Sequence, residues 1–143
     1  MGSIQTYMTA GHRQCDDSYT SAENAVSAQN WSEADSAWQQ FATELEHHLG
    51  QEEQLLFPAF EQQTGNTQGP TAVMRMEHEQ MRALVADLSG ALQARDSDRF
   101  LGLGETLMVL MQQHNMKEEQ ILYPMTDQVI GNSSELVTRL DAF

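Results

Sequence analysis

Residues 48–58 read His48-Leu49-Gly50-Gln51-Glu52-Glu53-Gln54-Leu55-Leu56-Phe57-Pro58, and residues 114–124 read His114-Asn115-Met116-Lys117-Glu118-Glu119-Gln120-Ile121-Leu122-Tyr123-Pro124. At an offset of 66 the two stretches share His, Glu, Glu, Gln, Leu and Pro, and both are aromatic before the proline. The same offset places His12 on His78, so four of the five histidines are paired by one shift. A repeat of this length relates two helix pairs: the first and third helices correspond, as do the second and fourth, and the bundle gains a pseudo-two-fold axis.

Outward from these motifs, three prolines, few β-branched residues and abundant Ala, Gln, Glu, Leu and Met favour an all-α chain. The first helix is expected from near Thr9 to Gln29-Asn30. The second starts with Ser32 as N-cap and carries Phe41, Leu45, His48, Glu52, Leu55 and Ala59 at three- and four-residue steps. Residues 64–69 form the clearest loop. A third helix opens at Pro70, where a missing N–H costs little, and runs to about Arg95. Asp96-Ser97-Asp98 caps the fourth, and a short helix from Ser133 or Ser134 to Leu140 covers one end. Four long helices with short connections predict an up-down-up-down four-helix bundle with a short C-terminal helix, a single domain over residues 1–143. Gly50, Gly90, Gly102 and Gly104 weaken the helices locally, and a helix boundary is most readily shifted near residues 90 and 102. Pro58 and Pro124 each remove the amide that would bond the carbonyl of Gln54 or Gln120, so both motif-bearing helices are expected to kink or end there.

Seven Lys plus Arg against 21 Asp plus Glu leave a net charge of −14, which repels phosphate backbones and anionic lipid. Nucleic acid and membrane surfaces are therefore not expected as partners. No apolar run approaches the roughly 20 residues of a membrane span, and no basic-then-apolar leader opens the chain, so a cytoplasmic location is expected. Met1-Gly2-Ser3-Ile4-Gln5-Thr6 meets the loose myristoylation pattern, but no basic cluster follows to reinforce an anchor. The one cysteine, Cys15, cannot form an internal disulfide.

On a helix, His48 and Glu52 are separated by about 40° and about 6 Å, so their side chains converge; His114 and Glu118 do the same. Helices two and four lie diagonally across the bundle, which brings the two His-x-x-x-Glu faces together with His12 and His78. Six such groups buried without partners would each cost several kcal/mol. A metal pair answers the need. Imidazole with carboxylate suits Fe, Mn or Zn better than Mg or Ca, and iron is the first choice. The ligand set is thus His12, His48, Glu52, His78, His114 and Glu118. His47 points about 100° away from His48 and is read as solvated. Glu53 and Glu119, rotated off the same face, either support the site from behind or face solvent.

These residues resemble the hemerythrin-like, or HHE cation-binding, family, from His12 to Pro124. The resemblance implies a four-helix bundle around a non-haem di-iron centre that meets dioxygen, nitric oxide or peroxide. It places the first-helix histidine at His12, the second-helix pair at His48 and Glu52, the third-helix histidine at His78, and the fourth-helix pair at His114 and Glu118. Animal oxygen carriers have a second third-helix histidine where this chain has Arg82, and end in His-x-x-x-x-Asp rather than His114-x-x-x-Glu118. The chain therefore resembles the bacterial branch, and reversible oxygen carriage is not inherited from the likeness. Bacterial iron-sulfur repair proteins share the bundle but add a cysteine-bearing domain that is not expected here.

If Glu52 and Glu118 both bridge two irons and each iron takes two histidines, an oxo or hydroxo bridge brings each to five donors and leaves one open position. Open positions admit a diatomic ligand, peroxide or water, and support binding and sensing as well as turnover: peroxide or nitric oxide reduction, or ferrous oxidation. No catalytic residue beyond the metal ligands is marked, and no protein partner is indicated. Cys15 follows His12 by three residues on the same face. It is either a small buried apolar residue or a thiol close enough to exchange electrons with the metals.

Overall fold

A computed structural model describes residues 3–143; Met1 and Gly2, and with them the myristoylation pattern, lie outside the described residues. The chain forms α1 (Ile4–Ser27), α2 (Trp31–Gln51), a π-helical turn at Glu52–Leu56, α3 (Phe57–Thr64), α4 (Pro70–Gln93) and α5 (Ser97–Lys117). A second π-helical turn at Glu118–Leu122 leads to α6 (Tyr123–Ile130), and α7 (Ser133–Ala142) follows. Each α-element up to α3, and the first π-turn, is repeated 66 residues later with the same length. The helical bundle anticipated from the sequence is therefore present, with α1 packed along α2, α4 along α5, and α1 also against α5.

Helix ends repeat with the same geometry through different residues. Gln29 and Arg95, at φ 57° and 55°, turn the chain out of α1 and α4. Asn30 and Asp96 then cap α2 and α5 by accepting from the amides of Glu33 and Arg99. Asn30 thus replaces the expected Ser32 cap. Gly65 and Gly131 close α3 and α6 in the left-handed conformation that glycine adopts without a Cβ penalty. The first helix starts at Ile4 rather than near Thr9. Ser3 caps it from within, while Asp127 of α6 accepts from the amides of Ile4 and Gln5.

Pro58 and Pro124 do not end the helices. In the π-turn before each, the amide of Phe57 donates to Glu52 O and that of Tyr123 to Glu118 O, a closure over five residues. The wider turn accommodates a ring that would clash with the carbonyl four residues back, and helix continues for eight residues beyond. Helix α5 likewise runs through Gly102 and Gly104. The buried Tyr19 hydroxyl presses on Gly104, where a Cβ would overlap it, so glycine serves close packing there.

Two apolar clusters fill the bundle. One joins Cys15, Tyr19, Val26, Trp38, Phe41, Leu45, Leu88, Phe100 and Leu107. The other joins Ile4, Met8, Leu56, Phe57, Phe60, Met74 and Tyr123, and α7 closes it with Leu136 and Leu140. Along α1 and α4 the site histidine falls at the boundary between them: His12 follows Met8 and precedes Cys15, and His78 lies between Met74 and Met81. A polar layer is thereby held between two apolar clusters. Among the described residues no helix is long and apolar enough to cross a membrane.

Candidate metal centre

All six predicted residues meet in this layer, each at most 5% exposed. They form two groups with ligand atoms within 4.8 Å of one another: His12, His48, Glu52 and Glu118, and Glu52, His78, His114 and Glu118. The two glutamates belong to both. Glu52 turns Oε2 to His48 Nε2 (3.6 Å) and Oε1 to His78 Nε2 (3.0 Å). Glu118 turns Oε1 to His12 Nε2 (3.0 Å) and Oε2 to His114 Nε2 (3.2 Å). One oxygen of each carboxylate thus faces each half.

The far nitrogens of three imidazoles are fixed by other carboxylates. His12 Nδ1 lies 2.7 Å from Glu119 Oε2, His78 Nδ1 2.7 Å from Glu53 Oε2, and His114 Nδ1 2.8 Å from Glu77 Oε1. Glu53 and Glu119 therefore hold the histidines from behind. Glu77 has the same task and was not legible beforehand, because the repeat sets Gly11 against it and the histidine it serves stands on another helix. Arg82 bridges Glu53, Glu46 and Glu79, and Lys117 binds Glu77. For both Glu53 and Glu77, burial alone would raise the carboxyl; the cation and the imidazole outweigh it and hold each below the usual range.

His48 differs. Gly11 fills the position facing its Nδ1, where even a Cβ would come within 2.7 Å, and among the described residues no carboxylate bonds that nitrogen. A depression of about 300 Å³ lined by Tyr7, Gly11, Gln14, Glu44 and Gln51 reaches the back of the ring. His47 is exposed on the rim, as its rotation from His48 required.

A carboxylate that accepts the Nδ1 proton leaves Nε2 with its lone pair. In the His78 and His114 half, those lone pairs point at Glu52 Oε1 and Glu118 Oε2, and all four atoms are buried without a hydrogen bond despite the short distances. Four acceptors aimed at one another are unfavourable alone and suit a shared cation. Without one, burial disfavours the imidazolium, yet Glu118 and Glu52 win and carry His114 up to about 9; His12 and His78 shift the same way. Glu52 is held well below the usual carboxylate range, its burial outweighed by His48 and His78. The donor set fits a metal centre, and metal and protons compete for it.

In the sequence Tyr123 stands out only as an aromatic repeat position. The first residue of α6, five residues after Glu118, it stacks on His12 and puts its hydroxyl inside the His12 half, donating to Glu52 Oε2 at 2.5 Å. Cys15 is buried in the apolar cluster. Burial, then Glu44, Asp16 and Glu52, push its thiol up to about 12. That is the environment of a packing residue.

The sequence model of the family described as hemerythrin HHE cation binding domain matches residues 3–126, a span containing every residue of the centre. Comparison with curated proteins and with solved structures gives no match.

Proposed function

The chain belongs to the hemerythrin HHE cation-binding family, and from that premise we propose that its polar layer is a di-iron centre that binds or senses dioxygen or a related small molecule, nitric oxide or peroxide. His12 and His48 hold one iron, His78 and His114 the other, and Glu52 and Glu118 bridge them. The observation that carries this reading is the division of each buried carboxylate between the two halves, one oxygen to each. Imidazole with carboxylate suits iron, manganese or zinc better than magnesium or calcium, and iron is the metal of this reading.

The irons, once bound, supply coordination positions for a small ligand and a reversible redox couple. The protein's own part is to orient the imidazoles through Glu53, Glu77 and Glu119 and to exclude bulk water with the apolar clusters on either side. The cytoplasm is the proposed setting, in keeping with the absence of a membrane-spanning helix among the described residues.

The test is metal analysis of protein loaded anaerobically with ferrous iron and then oxidised in air. Close to two irons per chain are expected; one iron, or retention of zinc alone in the presence of iron, contradicts the reading. Titration of the reduced protein with dioxygen or nitric oxide, beside turnover assays under excess peroxide, then separates a binding protein from an enzyme.

A further inference from the structure

The repeat makes Phe57 and Tyr123 equivalent, and the two rings pack alike. Phe57 lies on His78 with centroids 5.5 Å apart and planes 29° apart, and Tyr123 lies on His12 at 5.6 Å and 27°. Both rings are fully buried. Phe57 shows that the bundle is satisfied at this position by a ring alone, so the hydroxyl of Tyr123 is an addition to the packing.

That oxygen lies against every donor of the half it enters. It is 2.5 Å from Glu52 Oε2, 2.9 Å from Glu118 Oε1, 3.1 Å from His12 Nε2 and 3.4 Å from His48 Nε2. Two donors about 2.1 Å from one metal and at right angles to each other stand about 3 Å apart. An oxygen at such distances from all four atoms occupies the place of a fifth donor around a common ion. As a phenol it has one proton, which goes to Glu52, while Glu118 Oε1 and His12 Nε2 crowd it as further acceptors.

We propose that Tyr123 is a protein ligand of the centre, its phenolate oxygen completing the His12, His48, Glu52 and Glu118 half while Phe57 leaves the other half without a counterpart. The proposal rests on the di-iron reading. Coordination exchanges the O–H bond for an iron–oxygen bond and releases one proton to the buffer. It also makes the halves unequal. By donor count, Tyr123 takes the position that would otherwise be open in its own half, and an incoming small molecule is left with the iron of His78 and His114. The depression behind His48 does not conflict with this, since it reaches that ring from its Nδ1 side, away from the donors.

The experiment is absorption and resonance Raman spectroscopy of the air-oxidised, iron-loaded protein, with iron counted in the same samples. Wild type is expected to show a phenolate-to-ferric charge-transfer band with tyrosinate ring modes enhanced on excitation into it. Tyr123→Phe copies a residue the fold already accepts at the equivalent position, and is expected to keep close to two irons and lose those features. Phe57→Tyr is expected to raise the band roughly twofold. Two irons per chain without tyrosinate modes in wild type, or modes that persist in Tyr123→Phe, would overturn the ligand assignment and leave the di-iron reading standing. Failure of wild type to bind two irons would overturn both.

Discussion

Gly11 and Glu77 hold equivalent places in the two halves of the bundle, yet only Glu77 brings a carboxylate to an imidazole, 2.8 Å from His114 Nδ1, while Gly11 meets His48 Nδ1 with bare backbone. A Cβ on residue 11 would stand 2.7 Å from that nitrogen and 3.1 Å from the adjacent ring carbon, both on a side chain confined by the core. Gly11→Ala must therefore move the His48 ring, although alanine favours the helix by about 1 kcal/mol. The expected outcome is a fall in bound iron from two toward one per chain, measured by metal analysis; full loading would show that the ring can yield without leaving its donors.

Replacing His48 itself separates the buried imidazole from its exposed neighbour. His48→Ala removes a donor and leaves a gap beside Glu52, so iron content and loaded-state stability should fall together, the latter by about 2 kcal/mol, or roughly 5 °C in Tm. His47→Ala should change neither. Parallel iron analysis and thermal melts check this, and equal behaviour of the two variants would refute the facing of α2.

At Cys15 the thiol pushed up to about 12 from an ordinary 9 gives a reactivity prediction. Thiolate is the reactive form, so this rise suppresses alkylation at pH 8 by about a thousandfold relative to the unfolded chain. Below pH 9 the thiol is protonated in both states and adds no pH dependence to stability. Between 9 and 12 the unfolded chain loses the proton first, so stability falls as pH rises. Iodoacetamide labelling with and without denaturant measures the contrast, and rapid labelling of the folded protein would reopen a redox role for this residue.

The sequence displayed His12, His48, Glu52, His78, His114 and Glu118 because ligand chemistry fixes both residue type and spacing, so the repeat kept them visible. The helix ends repeat equally well in space, but Gln29 and Arg95 share a left-handed conformation without sharing chemistry, and Asn30 and Ser32 are equally good cap residues, of which the chain uses Asn30. The start of α1 depends on Asp127, more than 120 residues away, which no local pattern contains. Glu77 and Tyr123 were hidden for the opposite reason from the ligands: each is where the repeat breaks. The substitutions Gly11 for Glu77 and Phe57 for Tyr123 were the available signal that the two halves differ.

Glu52 and Glu118 provide the most direct test of the bridged arrangement, since each is fully buried and divides its two oxygens between the halves. Shortening either to Asp preserves the charge and withdraws the carboxylate by one methylene, on the order of 1.5 Å of reach. Distances of 3.0–3.6 Å from each carboxylate to its imidazoles leave no slack for that withdrawal on both sides at once. Glu52→Asp and Glu118→Asp are therefore expected to retain some iron while losing antiferromagnetic coupling in the diferric form, read from magnetic susceptibility. Undiminished coupling in both variants would place the bridges elsewhere, with Glu53 and Glu119 the adjacent carboxylates. Those two are already committed to His78 Nδ1 and His12 Nδ1, so a bridge there would require α2 and α5 to rotate by about one residue and give up both contacts.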